Sequence, residues 1–378
     1  MDKKKILILG AGNAQIDAIE YCRDHGYEVV GCSYTTVDAG IPHLDHFEQT
    51  DIKDVDGVAD LARRYEVCAV YSVGSDLAIP SAMKVSEMLG LPHFITPETA
   101  EICHSKHLMR ETLGKGFAGN ASFIVCGSAD EALRFDSFPG MMKPVDSQGQ
   151  RGCFRVDSAE DIEAHFEDAL GYSVAGKVII EDYIEGPEIS VNAYFQDGDM
   201  RIAVISDRYS FEEYPGGIIK KHIVPSSFAD AAAKEKTLDL CLRAADRLGV
   251  TDGPCYFQIK LRDGKDPVIL EVAPRLDGCH MWNLIKHWCG ADLLDACFRQ
   301  LLEGEQVLTE KHDMPDEEYC LEFISEPSDS IFRRSDHDVS GAEYVCWYYD
   351  DGDRVLRVNG IIEKCGYTIT KINKRRNA

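Results

Sequence analysis

Val268-Ile269-Leu270-Glu271-Val272-Ala273-Pro274-Arg275 is an apolar strand that ends on a lone carboxylate and, across a backbone-fixing proline, places an arginine four residues further on. Such a strand end sets a metal-binding anion and a phosphate-binding cation at one sheet edge, a pairing suited to chemistry on a nucleoside triphosphate. Taken alone it equally describes a solvated strand end. Its neighbours upstream decide between the two. Phe257-Gln258-Ile259-Lys260 pairs with Val268 to Glu271 through the turn Asp263-Gly264, which points Gln258 and Glu271 into one cleft as oxygen ligands. Two oxygen ligands plus phosphate and water suit Mg²⁺.

Two further segments carry compatible chemistry. Lys143-Pro144 precedes Val145-Asp146-Ser147-Gln148-Gly149-Gln150-Arg151-Gly152, a polar loop with two glycines. Backbone N–H groups in such a loop close on phosphate oxygens without Cβ interference, and the lysine adds a point charge. No Gly-Lys-Ser/Thr opens a following helix, so the loop is not a Walker A motif. Val178 to Glu188 is an apolar strand that becomes a short linker, Glu181-Asp182-Tyr183-Ile184-Glu185-Gly186-Pro187-Glu188. Its backbone can meet the edge of adenine and its last carboxylate can accept from ribose hydroxyls, although each acid also fits a solvated strand end.

The chain has 378 residues, 44% of them hydrophobic, which bounds it as globular with two or three domains. A net charge of -25 argues against nucleic acid or anionic membrane as a partner. The 14 cysteines are scattered singly through apolar runs with no CxxC pair, and the first residues, MDKKKILILG, hold too short an apolar run for a signal peptide or membrane span. A cytoplasmic protein with reduced thiols is expected.

Ile6 to Leu9 reads as a buried strand that breaks at Gly10-Ala11-Gly12-Asn13-Ala14-Gln15 into a helix, and strands at Glu28 to Cys32 and Ala69 to Ser72 continue the alternation. This predicts a parallel, doubly wound sheet. Gln15 stands where a dinucleotide fingerprint needs its third glycine, and no acid closes the second strand, which disfavours a nicotinamide or flavin. Gly10, Gly12 and Asn13 are instead expected to hold the carboxylate or phosphate end of a second substrate, the alternative being a tight turn useful for packing alone. From Pro97 the pattern becomes α+β, with a helix bearing Ser105-Lys106-His107 and an apparent hairpin from Val178 to Phe195. Past Pro315, short strands at Tyr344 to Tyr349, Arg354 to Val358 and Ile361 to Ile362 predict a small β appendage.

The ordered set Lys106, Lys143-Pro144, glycine loop, Glu181 to Glu188, Gln258 and Glu271-x-x-Pro-Arg275 resembles the ATP-grasp ligases over roughly residues 1 to 310. The resemblance implies an α/β and α+β chain with three parts. These are a pre-ATP-grasp parallel-sheet domain over 1–97, an ATP-grasp domain over 98–312 whose mobile lobe is about 115–184, and the β-rich region over 313–378. It implies that Lys106 and Lys143 bind ATP phosphates under a flap containing Ser147, Gly149, Arg151 and Gly152. Glu181 with the backbone of Asp182 and Ile184 would hold adenine, and Glu188 the ribose. Gln258 and Glu271 would bind Mg²⁺, or Mn²⁺ in its place, and Arg275 with Lys143 would act on the reacting phosphoryl group. His280 is either a substrate contact or packing. Ala273 stands where the family commonly has a metal-binding Asn, and Cys279 where biotin carboxylases place a base, which disfavours bicarbonate fixation.

The activity implied is activation of a carboxylate as an acyl phosphate and its transfer to an amine or similar nucleophile such as a thiol, with release of ADP and phosphate. The partners implied are these small molecules, with a homodimer left open. Two alternatives stand: a carbamoyl phosphate synthetase-like, carboxyphosphate-forming enzyme, and a non-catalytic ATP-binding regulator on the same fold.

Overall fold

The computed structural model describes residues 3–146, 151–214, 217–309, 312–358 and 360–372. Its first unit alternates β1 (Lys5–Leu9), α1 (Asn13–Asp24), β2 (Glu28–Ser33), β3 (His46–Gln49), α2 (Val55–Tyr65), β4 (Ala69–Tyr71) and α3 (Ile79–Leu89). The four strands form one parallel sheet in the order β3-β2-β1-β4. Apolar runs such as Ile6-Leu7-Ile8-Leu9 are fully buried, as expected where helices cover a parallel sheet.

Thr96 caps α4 (Pro97–His104) by accepting from the Thr99 N–H, so the expected boundary coincides with a helix start. The single helix expected around Lys106 is two. Ser105 has extended backbone, and α5 (Lys106–Leu113) begins afresh at the lysine. The chain then builds β5 (Phe123–Cys126), α6 (Ala129–Ala132), β6 (Gly140–Pro144), β7 (Phe154–Val156), α7 (Ala159–Gly171) and β8 (Val178–Asp182), with a four-stranded sheet in the order β5-β8-β6-β7.

A third sheet has eight strands. It contains β9 (Glu188–Gln196), β10 (Asp199–Ser210), β11 (Ile219–Val224), β12 (Gly253–Arg262), β13 (Asp266–Ala273), β14 (Glu318–Pro327), β15 (Tyr344–Trp347) and β16 (Ile362–Ile372), in the order β13-β12-β9-β10-β11-β14-β16-β15. Helix α8 (Ala231–Leu248) lies between β11 and β12 in sequence, and α9 (Met281–Cys289) and α10 (Leu293–Glu303) follow β13. The expected hairpin from Val178 to Phe195 does not form, because β8 and β9 belong to different sheets. Gly186 turns the chain between them with φ +134, where a Cβ would lie 1.9 Å from the Leu261 carbonyl oxygen. The β-rich region is hydrogen-bonded to the rest of the eight-stranded sheet, since β14 pairs with β11. The strand expected at Arg354 to Val358 is reduced to one bridge between Arg354 and Ile331.

One hydrophobic core runs from the parallel sheet through α8–α10 to the eight-stranded sheet, whereas the four-stranded sheet has its own core around Met142, Phe166 and Ile180. Polar contacts attach the small sheet to the rest. Fully buried Arg110 of α5 donates from Nε to Glu181 Oε2 (3.0 Å) and from Nη1 to Asn120 Oδ1 (3.0 Å) and the Ile269 carbonyl of β13 (2.7 Å). Lys143 pairs with the other oxygen of Glu181. Burial alone would raise the Glu181 carboxyl, but Lys143 and Arg110 outweigh it and hold it down at about 2. The first unit meets the eight-stranded sheet at a contact free of side chains. At Gly74, with φ +71, a Cβ would lie 2.8 Å from the Gly278 Cα, so the loop after β4 meets the loop after β13 backbone to backbone.

Two outcomes follow from these contacts. Gly74→Val combines a strained φ with this clash and should lower stability by about 1–3 kcal/mol, seen as a lower urea midpoint with unchanged slope. The Glu181 carboxyl is depressed in the fold, so its contribution is complete above the ordinary value of 4.5 and is lost as pH falls from there toward about 2. Urea titrations across that window should show a clear loss in the parent protein and a shallower one in Glu181→Gln.

Candidate active site

The hairpin of β12 and β13 sets Gln258 opposite Glu271, as its turn chemistry predicts, with Asp263 and Gly264 both at positive φ. Because cross-strand partners share a face, Gln258, Lys260, Glu188, Arg208 and His222 form part of one polar surface of the eight-stranded sheet. This surface and the four-stranded sheet enclose a cavity of about 510 Å³, whose lining includes Lys106, Lys143, Glu181, Glu188, Gln258 and Glu271. That volume lies in the range of about 300–1,000 Å³ usual for small-molecule sites. An adjoining cavity of about 230 Å³ contains Asp76, Arg275 and, again, Lys106 and Glu271. Lys106 and Glu271 therefore stand where the two cavities meet.

The Glu271 carboxylate makes no hydrogen bond or ion pair with any described residue. Gln258 donates from Nε2 to Glu188 Oε1 at 2.5 Å, which orients its amide and leaves its oxygen free to coordinate. Glu188 also pairs with Arg208, a residue not singled out in the sequence, whose side chain is 14% exposed. Arg208 is held in its charged form against burial by Tyr256 and Glu188. Lys260 donates to the Ile184 carbonyl at 3.1 Å, and the Ile184 N–H has no backbone partner among the described residues. Asp182 lines the cavity, but its N–H donates to the Ser122 carbonyl at 3.0 Å.

Several expected contacts are already committed within the protein. Both Glu181 oxygens face cations, so this carboxylate forms a wall of the cavity and is not a free acceptor for adenine. Arg275 is 6% exposed; its Nε and Nη2 donate to Asp76 Oδ1 and Oδ2 at 2.6 and 2.7 Å, and its Nη1 to the Leu276 carbonyl at 3.0 Å. The expected free guanidinium is thus a strut between the strand end and the first unit. Asp76 is correspondingly held below the usual carboxylate range by Arg275, against its burial. The ring nitrogens of His280 are both occupied, Nδ1 by Asp17 Oδ2 at 2.9 Å and Nε2 by the Tyr348 hydroxyl at 2.7 Å, which leaves none for a substrate.

The turn after β1 is similarly self-contained. Gly10 N–H donates to the Cys32 carbonyl, Gly12 N–H to Gln15 Oε1 at 2.9 Å, and Gln15 N–H to the Gly12 carbonyl. Gln15 also donates to the Val73 carbonyl, so it fixes the turn in place of a third glycine. Asn13 is different: its Oδ1 is buried without a partner, and it lines a cavity of about 150 Å³ together with Gly278, His280 and Lys364. Ser147 and Gly149 lie outside the described residues. Arg151 and Gly152 do not line the larger cavity, although Cys153 does, and Gly152 packs against Pro144 and Tyr172.

Comparison with known proteins places this geometry. Residues 136–282 match the family model described as an ATP-grasp domain. The chain is 23% identical over 334 residues to human carnosine synthase 1, covering 78% of this chain and 39% of that protein. It is 23% identical over 299 residues to the alanine–anticapsin ligase of Bacillus subtilis strain 168, covering 72% of this chain and 61% of the ligase. The chain thus spans less than two thirds of the length of these curated relatives. The biotin carboxylase domain of Hydrogenobacter thermophilus 2-oxoglutarate carboxylase, solved with MgADP, ADP and bicarbonate, superposes with a TM-score of 0.81 at 15% identity, covering 98% of this chain and 86% of that one. The stretch that matches an ATP-grasp domain contains both β12–β13 and the Glu181 segment, and the chain as a whole shares its fold with that biotin carboxylase domain.

Proposed function

We propose that this chain is an ADP-forming, ATP-dependent ligase that activates a carboxylate as an acyl phosphate and transfers it to an amine. The observation that carries the proposal is Glu271, a carboxylate without a protein partner at the junction of two cavities, beside Lys106 and the free oxygen of an oriented Gln258. ATP occupies the cavity of about 510 Å³, with its base near Ile184 and its phosphates toward Lys106 and Lys143. The ribose lies on the Glu188 side.

Gln258 and Glu271 are the Mg²⁺ ligands, and Mg²⁺ supplies neutralisation of the phosphate charge. Lys106 and Lys143 stabilise negative charge on the transferring phosphoryl group, a task that needs positioning and charge and no protein nucleophile. Arg275, locked by Asp76, lines the smaller cavity and fixes the edge at which the carboxylate substrate meets the γ-phosphate. Asn13 is our candidate for contact with the non-nucleotide substrate. The alanine–anticapsin ligase carries an amino acid, alanine, in its name, which supports an amino acid as one substrate here. No described helix is long and apolar enough to cross a membrane, and all 14 cysteines are free thiols, which supports a cytoplasmic setting.

ATP with Mg²⁺ at about a hundred times its dissociation constant should stabilise the protein by about 2.7 kcal/mol. ADP release should then appear on adding pooled amino acids. No thermal shift with ATP and Mg²⁺ would dismiss the reading. Since the Glu271 carboxylate makes no hydrogen bond or ion pair with a described residue, Glu271→Gln should keep stability within about 0.5 kcal/mol of the parent. Its kcat should nonetheless fall by more than the about 10–100-fold typical of outer-sphere metal partners. Parallel melting and steady-state assays separate the two effects.

A further inference from the structure

Beneath the loop that follows β13, three side chains that the proposed chemistry does not use converge. His222 comes from β11, and Asp277 and Cys279 from the loop itself; their ligating atoms all lie within 4.8 Å of one another. His222 is 0% exposed and Asp277 5%. His222 Nδ1 is hydrogen-bonded with Ser206 Oγ at 3.2 Å, and Nε2 is buried without a partner. Asp277 accepts from the Cys279 N–H through Oδ1 at 3.0 Å, and its Oδ2 is buried without a partner as well. An unpartnered buried polar atom costs about 1–3 kcal/mol, and two of them beside one thiol are the mark of a missing common partner.

The chemistry of the donors narrows that partner. With Nδ1 of His222 engaged by Ser206 Oγ, Nε2 is the ring nitrogen left to act as a ligand. Imidazole nitrogen, carboxylate oxygen and thiolate sulfur suit a borderline-soft divalent ion of the first transition row, whereas Mg²⁺ takes oxygen ligands. Arg208, opposite His222 on β10, is paired with Glu188, and Lys364 Nζ stands 3.9 Å from Cys279 Sγ.

We propose that His222 Nε2, an Asp277 carboxylate oxygen and Cys279 Sγ form a site for a divalent transition metal of the Zn²⁺ class, distinct from the Gln258–Glu271 position. Two anionic ligands and a neutral imidazole balance the double charge. Three protein ligands leave a fourth tetrahedral position for water or a substrate amine. Gly278 and Lys364, which adjoin the cluster, line the same cavity of about 150 Å³ as Asn13, so that position lies beside the proposed second-substrate pocket.

The test uses the full chain, stripped with chelator and titrated with Co²⁺ in excess Mg²⁺ and without nucleotide. It therefore reads metal binding whether or not the ligase reading holds. The expected result is roughly one equivalent of Co²⁺ with a thiolate-to-cobalt charge-transfer band and intense tetrahedral visible bands, all displaced by Zn²⁺. Cys279→Ser should lose the charge-transfer band, His222→Gln should weaken Co²⁺ binding, and Lys364→Met should weaken it about tenfold. Circular dichroism of each variant checks its fold. Absence of tight Co²⁺ uptake by the parent protein, or a charge-transfer band that survives in Cys279→Ser, would overturn the proposal.

Discussion

A buried carboxylate tolerates its burial only if cations accompany it, and Glu181 draws Arg110 and Lys143 into one place. Through Arg110 the same network reaches Asn120 and the backbone of β13, so the four-stranded sheet, α5 and the edge of the eight-stranded sheet are fixed by one charge. Lys143 serves this network and also faces the larger cavity. Stability and site electrostatics are therefore coupled through Lys143. The chain carries a net charge of -25, yet Lys106, Lys143, Lys260 and Arg208 line this cleft. A polyphosphate is attracted locally by a protein that repels polyanions at a distance.

What could be read in the sequence was local. The Asp263-Gly264 turn fixes the register that sets Gln258 against Glu271, and the alternation before residue 97 yields the parallel sheet. Partners distant in sequence left little trace. Arg110 sits between Met109 and Leu113 on an apolar helix face, an anomaly that hints at burial without naming Glu181, 71 residues on. Asp76 is 199 residues from Arg275, and Asp17 is 263 from His280. Nothing local in the sequence sets Arg208 beside His222; that follows only once β10 and β11 pair. The apparent hairpin at Val178 to Phe195 misled for the same reason: two apolar strands with a Gly-Pro link look alike whether they pair or part.

The turn after β1 shows how a familiar shape can change its task. Gln15 takes up the Gly12 amide and ties the turn to the segment after β4. That segment in turn supplies Gly74 to the contact with Gly278 and Asp76 to the contact with Arg275. The first unit thus braces the loop from Pro274 to His280, on which both the proposed substrate edge and the His222–Asp277–Cys279 cluster depend.

The single core shared by the parallel and eight-stranded sheets also bears on how the chain comes apart. Since its apolar packing crosses the boundaries expected near residues 97 and 312, loss of either sheet exposes the other, and the two should melt as one cooperative block. The small sheet, with a core of its own and a largely ionic attachment, is free to melt separately. Calorimetry would then register two units where the run of the sequence suggests three, and acid would loosen the smaller one first.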